Sequence, residues 1–163
     1  MSRRWIAALL AALTMLSLFG CGKRTFRTVS MYSLRENMLS AAPSLPEMKS
    51  VSDESENAEE LFAYLSDLDY GKVEHFFLSY SATGLADEIA VITVKKTADA
   101  ELAKTSLENH LKSRIQMYGQ YSPDQVPRVE NAELFIRDQY VVLIVCDEAD
   151  AVKKAFWEST TEG

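Results

Sequence analysis

Cysteine and histidine are scarce in this 163-residue sequence, which has two of each. The two cysteines lie far apart, and the chain contains no CxxC pair or HExxH motif of the kind that holds a metal or a redox centre. Its six glycines form no Gly-rich phosphate loop and no dinucleotide fingerprint. We therefore predict no metal and no cofactor.

Basic residues are also in short supply. The chain has 17 Lys and Arg against 24 Asp and Glu, which gives a formal net charge of −7. The first twenty residues hold two of the basic residues and none of the acidic ones, so the remainder carries a net charge of −9. Nucleic-acid binding needs a basic surface that neutralises phosphates. We therefore predict no nucleic-acid partner.

The sequence pattern offers no catalytic grouping. His75 lies in an apolar strand and His110 in the middle of a long helix, where a structural or surface role is expected for each. Asp87 and Glu88 are the most interesting carboxylates, but neighbouring residues of a strand point to opposite faces and would not act on one substrate. We expect both to keep the end of a hairpin solvated. We predict a non-enzymatic protein without catalytic residues.

What the chain does have is an apolar run over residues 5–19 that follows two arginines. The run is shorter than the ~20 residues of a spanning helix and has the parts of a secretory signal. It ends in Leu18-Phe19-Gly20-Cys21, which resembles the bacterial lipoprotein signal, although Phe19 stands where a small residue is more usual. The resemblance implies cleavage between Gly20 and Cys21 and a lipid, typically with palmitate chains, on the Cys21 thiol. The alternative is a signal cut elsewhere, with Cys21 an incidental thiol.

The predicted organisation follows from this signal. A signal peptide is expected over residues 1–20, a lipidated tether over 21–29 and a single domain over 30–163, which is long enough for its own core. The expected location is the extracytoplasmic face of the cell membrane, held there by the lipid on Cys21. Cys146 then lacks a disulfide partner, and its apolar surroundings indicate a buried, inert thiol.

Periodicity predicts an α+β domain. Helical spacing and caps predict four helices, over residues 30–42, 58–68, 97–119 and 147–158. Apolar and β-branched runs predict four strands, over residues 73–81, 88–94, 132–137 and 140–146. Thr97 or Asp99 is expected to cap the third helix and Asp147 the fourth. Residues 43–57 are expected to form a loop, and two prolines predict an irregular connector over 120–128.

The order of these elements predicts a two-layer sandwich. Helices are expected to pack on a four-stranded, mainly antiparallel sheet of ββα-ββα order, preceded by one or two N-terminal helices. The strand 88–94 carries apolar side chains on both faces, with Ile89 and Val91 on one and Ala90, Ile92 and Val94 on the other. That composition is typical of a central strand.

Several short segments resemble a known family. They are residues 45–48 (LPEM), 86–92 (ADEIAVI), 121–126 (YSPDQV), 130–132 (ENA) and 140–145 (YVVLIV). They resemble the small lipoproteins of Gram-positive bacteria grouped as domain of unknown function 4358, from about Leu34 to Phe156. The resemblance implies lipoprotein export and a compact domain, and it implies no known activity. Asp138-Gln139 stands in the last hairpin where a glycine would be expected, which argues against a tight primed turn there.

Two functional hypotheses remain. The leading one is a non-enzymatic binding or interaction module of the cell envelope, with an envelope protein as its partner. Tyr118 and Tyr121, beside the proline-containing connector, are its candidate contact residues, although packing under the connector is the expected use of at least one of them. The alternative is a cell-surface small-ligand-binding protein or a hydrolase that uses carboxylates assembled by the fold. A concave pocket with converging polar groups would favour the alternative, and a flat apolar patch the first.

Overall fold

The computed structural model of the chain describes residues 29–161. Gly20, Cys21 and the predicted signal and tether up to residue 28 lie outside the described residues. Five strands form one sheet: β1 (Met48–Ser52), β2 (Val73–Ser81), β3 (Glu88–Val94), β4 (Glu133–Arg137) and β5 (Tyr140–Val145). Their order is β1-β2-β3-β5-β4, and every neighbouring pair is antiparallel. The α+β class is confirmed, with one strand more than predicted.

Five α-helices accompany the sheet within residues 29–161. They are α1 (Met31–Ser40), α2 (Ala58–Phe62), α3 (Ala100–Tyr121), α4 (Val126–Glu130) and α5 (Ala149–Thr160). The sequences β2-β3-α3 and β4-β5-α5 keep the predicted ββα-ββα order, with α4 inserted between the two units. None of the helices described here is long and apolar enough to cross a membrane.

Helices cover both faces of the sheet. On one face, α2 and α3 pack over a first core that includes Leu78 and Ile92. On the other face, α1 and α5 pack over a second core that includes Phe77 and Val91. The predicted two-layer sandwich is therefore wrong, and the layers are helix, sheet and helix. The physical reason is that a strand with apolar side chains on both faces needs cover on both sides.

The central strand was predicted correctly. β3 is the third of five strands, and all seven of its residues are buried. Ile89 and Val91 belong to the second core, whereas Ala90, Ile92 and Val94 belong to the first. The period of two along this strand therefore divides its side chains between the two cores.

β1 lies inside the segment that was predicted to be a loop. Its sequence, MKSVS, has few large apolar residues because β1 is an edge strand with mostly half-exposed side chains. Val51 lies opposite Leu78 of β2, and the hydroxyls of Ser50 and Ser79 are 2.8 Å apart. An edge strand needs little apolar surface, so hydrophobic periodicity did not reveal it.

The helices differ from the predicted ones in several places, and the clearest differences concern α2, α3 and α4. α2 ends at Phe62, six residues before the predicted end. α3 runs through Gly119 and ends at Tyr121. α4 begins inside the predicted irregular connector, and its Pro127 lies in the first turn, where the missing N–H has no helical partner to lose.

The last hairpin forms a tight turn without glycine. Arg137 pairs with Tyr140, so Asp138 and Gln139 are the two loop residues. Asp138 has a φ of 54°, in the left-handed region that Asp and Asn tolerate better than most residues. A two-residue loop therefore forms here without glycine, and a positive φ occurs at its first residue and not at Gln139.

Candidate functional site

A buried carboxylate lies at the start of the central strand. The side chain of Glu88 is 5% exposed. Its Oε1 accepts a hydrogen bond from Nε2 of His110 at 2.8 Å, and its Oε2 lies 2.8 Å from Nη1 of Arg114. An ionised carboxylate only accepts, so the His110 ring carries its proton on Nε2. The negative charge of Glu88 is thus paired with the positive charge of Arg114.

The helical partners come from one face of α3. His110, Arg114 and Tyr118 are spaced four residues apart, which places them one above another along the helix. Nη2 of Arg114 donates to the Tyr118 hydroxyl at 3.2 Å. That hydroxyl in turn donates to the carbonyl oxygen of Leu85 at 2.9 Å. The network therefore joins α3, the start of β3 and the loop between β2 and β3.

The same side chains line a cleft on the face of the first core. Its floor is formed by β1 and β2, where Val51 and Leu78 lie opposite each other and Tyr80 follows. One wall is formed by Leu61 of α2 and by Tyr64, just beyond the end of that helix. Tyr64 is 70% exposed, so its ring stands at the mouth of the cleft.

The opposite wall consists of the β2–β3 loop and the polar face of α3. Gly84 and Leu85 contribute the loop part, and Leu85 is 39% exposed. The cleft has a volume of about 430 Å³ and is mostly apolar. Clefts that hold small molecules have volumes of about 300–1,000 Å³ and place a few polar groups among apolar walls. The Glu88 network supplies such polar groups here.

Asp87, next to Glu88, is bound by a different helix. Its side chain is 5% exposed and lies 2.8 Å from Nη1 of Arg128, which also contacts Asp147 at 2.6 Å. Burial raises the pKa of the Asp87 carboxyl above its ordinary value, and Arg128 opposes that shift. Asp147 was predicted to cap α5, and this prediction is wrong, because Glu148 takes the cap position. The prediction that Asp87 and Glu88 stay solvated is wrong.

The other predicted residues are spread over the domain. Tyr118, predicted as an exposed contact, is only 7% exposed, although it lines the cleft. Tyr121 is 80% exposed at the end of α3. His75 is on the surface with Nδ1 2.8 Å from Asp53. Cys146 is partly buried, and burial raises the pKa of its thiol to about 11. The structure therefore brings Tyr118, Glu88 and His110 together and leaves Tyr121 apart.

Another concavity, of about 650 Å³, lies between α1 and α5. Its lining is mainly small and polar, and the amide nitrogen of Asn37 donates to the Ser159 hydroxyl at 3.1 Å. It borders Val29, the first described residue. Among residues 29–161, no three or more His, Cys, Asp or Glu side chains are grouped as metal ligands. The apolar cleft is therefore the better candidate for a binding site.

The spacing of the α3 residues was visible in the sequence. His110, Arg114 and Tyr118 follow one another at intervals of four residues, so a helix places them in one row. A basic residue on the buried side of a helix requires a buried acid as its partner. No local pattern could identify Glu88 as the partner of Arg114, because the fold brings it there from 26 residues away in the chain.

A sequence model of one family matches this chain. The family is described as Domain of unknown function (DUF4358), and the match spans residues 46–146, more than half of the chain. The chain belongs to the DUF4358 family. The resemblance to this domain is thereby confirmed, and the DUF4358 match contains all five strands and every residue of the cleft. α1 and α5, which cover the second core, lie outside it. Searches of curated proteins and of solved structures each found no significant match.

Proposed function

We propose that this protein is a lipid-anchored binding module on the extracytoplasmic face of a bacterial cell membrane. It belongs among the small lipoproteins of Gram-positive bacteria, and the apolar cleft is its binding site. The observation that carries the binding role is the cleft itself, in which the Glu88–Arg114 ion pair and its neighbour His110 lie among apolar walls. No catalytic step is assigned to the cluster.

The anchor is supported by the Leu18-Phe19-Gly20-Cys21 sequence at the end of the N-terminal apolar run. Two acyl chains on Cys21 would hold the protein firmly, because each buried methylene contributes about 0.8 kcal/mol. The net charge of −9 beyond residue 20 suits an envelope partner better than a nucleic acid.

The path of the chain also supports this arrangement. Val29 packs against the second core, so the chain enters the domain on the face that α1 and α5 cover. The cleft lies on the opposite face, with Val51 and Leu78 in its floor. An anchor attached through Val29 would therefore leave the cleft accessible to molecules of the envelope.

The location is tested by substitution of the lipidation site. We expect the wild-type chain to incorporate an alkyne analogue of palmitate and to sediment with membranes. Cys21→Ala should lose the label and move to the soluble fraction, whereas Cys146→Ala should behave as the wild type. A Cys21→Ala protein that stays membrane-bound would show that the lipoprotein hypothesis is wrong.

A hydrolase is the second candidate, because a histidine bonded to a buried carboxylate at a cleft is part of many hydrolytic sites. Such a site also needs a nucleophile. Ser106 lies one turn before His110, but its hydroxyl contacts Ser66 and Asp67. An assay with p-nitrophenyl acetate separates the two candidates. A hydrolase should cleave this ester and lose the activity in His110→Asn, whereas a binding module should show no cleavage that depends on His110.

A further inference from the structure

The Glu88 cluster determines which charge the cleft accepts. Glu88 and Arg114 have side chains that are 5% and 11% exposed, and their charged atoms are 2.8 Å apart. The second oxygen of Glu88 is occupied by His110. The Glu88 and Arg114 charges thus balance each other, although Nη1 of Arg114 makes no hydrogen bond. A charged group entering the cleft would find no unpaired charge of opposite sign on either of these side chains.

Burial of an unpaired charge is strongly unfavourable, so the cleft selects against ionised ligands. The other lining side chains add no charge, because they are apolar, tyrosine or serine. An uncharged ligand loses little water and gains contact with the leucines and the valine. The ligand that is electrostatically complementary to this cleft is therefore one without a net charge.

The tyrosines indicate the shape of the ligand. Tyr64 and Tyr80, 70% and 37% exposed, lie at the wall and the floor of the cleft. Exposed tyrosine rings pack well against flat apolar groups and can still hydrogen-bond through their hydroxyls. The volume of about 430 Å³ suits a small molecule rather than a folded protein surface.

We propose that the cleft binds an uncharged, ring-bearing small molecule and excludes its anionic counterparts. The inference rests on the proposed role of the cleft as the binding site. It assigns Tyr64 and Leu85 as contact residues and the Glu88–Arg114 pair as the determinant of charge selectivity.

The test compares two probes that differ mainly in charge, naphthamide and naphthoate of the same ring isomer. Equilibrium dialysis uses the full chain in lipid nanodiscs, with empty nanodiscs as the blank for partition into lipid. We expect naphthamide to bind at least about tenfold more tightly than naphthoate, which corresponds to about 1.4 kcal/mol. Equal or tighter binding of naphthoate, or no binding of either probe, would overturn the proposal.

Two variants locate the binding and a third tests its electrostatic cause. Tyr64→Ala should weaken naphthamide binding about tenfold. Tyr32→Ala, which removes a tyrosine that is 62% exposed on α1, should leave binding unchanged. Glu88→Gln leaves the charge of Arg114 uncompensated and should raise the affinity for naphthoate. If Glu88→Gln does not fold, two measurements still decide the question. They are the ratio of the naphthamide and naphthoate affinities of the wild-type chain, and the comparison of Tyr64→Ala with Tyr32→Ala.

The outcomes separate this inference from the anchor. If the location of the chain does not depend on Cys21 but naphthamide binds through Tyr64, the lipid anchor is refuted and the proposed ligand class stands. If the chain is anchored through Cys21 but binds neither probe, the proposed ligand class is refuted and the proposed location stands. Unchanged naphthamide binding in Tyr64→Ala refutes the assignment of the cleft.

Discussion

At the scale of single residues, the reactivity of the Cys146 thiol reports on its surroundings at the end of β5. Burial raises the pKa of its thiol to about 11, from an ordinary value of 9.0. Only the thiolate reacts with alkylating agents, so a shift of this size lowers the reactive fraction near neutral pH about a hundredfold. We expect iodoacetamide to modify Cys146 at about pH 8 far more slowly in the folded protein than in urea. Mass spectrometry of the Cys146 peptide measures both rates.

The control is a Cys21→Ala chain, in which Cys146 is the remaining cysteine. Similar alkylation rates in the folded and the urea-unfolded chain would show that the thiol is not shielded by burial. A reactive Cys146 would also contradict the inert role predicted from its place in an apolar run.

Glu88 and Asp87 show what the sequence could not reveal at this scale. Acidic residues between a loop and a strand are usually solvated, and that was the expectation for both. Here Arg114 and Arg128 reach them from two different helices and make their burial tolerable. Such partners become visible only when the fold brings distant segments together.

At the scale of elements, the β4–β5 hairpin depends on one backbone angle. The φ of 54° at Asp138 is unfavourable for a β-branched residue and easy for glycine. We expect Asp138→Val to lower the free energy of unfolding by about 1–2 kcal/mol. Asp138→Gly should cause no comparable loss, although both substitutions remove the same carboxylate. Urea unfolding followed by circular dichroism measures the difference.

The neighbouring loop residue provides the matched control. The structure gives no positive φ to Gln139, so Gln139→Val should destabilise the hairpin less than Asp138→Val. Equal stability of the Val and Gly variants at Asp138 would mean that the turn does not impose the left-handed conformation.

The elements that the sequence predicted share a strong pattern. The bounds of β2 and β3 agree with the predicted ones, because their apolar runs are long and end at polar residues. The missed elements are short or lie at an edge. β1 carries two serines and a lysine, and α4 contains a proline that is tolerated only in a first turn. Periodicity is weakest where burial is slight, so these two elements required tertiary information.

At the scale of the molecule, the family match and the fold have different extents. The match over residues 46–146 contains the sheet and the cleft, but α1 and α5 cover the second core from outside it. Phe77, Val91 and Ile144, each at most 1% exposed, would face water without those helices. The part of the chain that matches the family model therefore leaves one face of the sheet without its helices.

A pair of fragments tests this conclusion. Each large apolar side chain that loses its cover costs about 1.5–3 kcal/mol, and the second core contains several on the sheet alone. Their sum is comparable with the about 5–15 kcal/mol that stabilises a whole domain. We expect the fragment 46–146 to lack a cooperative thermal transition and to bind hydrophobic dye. The fragment 29–163, which keeps both helices, should unfold cooperatively. A monomeric 46–146 fragment that melts as sharply as 29–163 would show that the first core suffices, and that α1 and α5 serve a purpose other than stability.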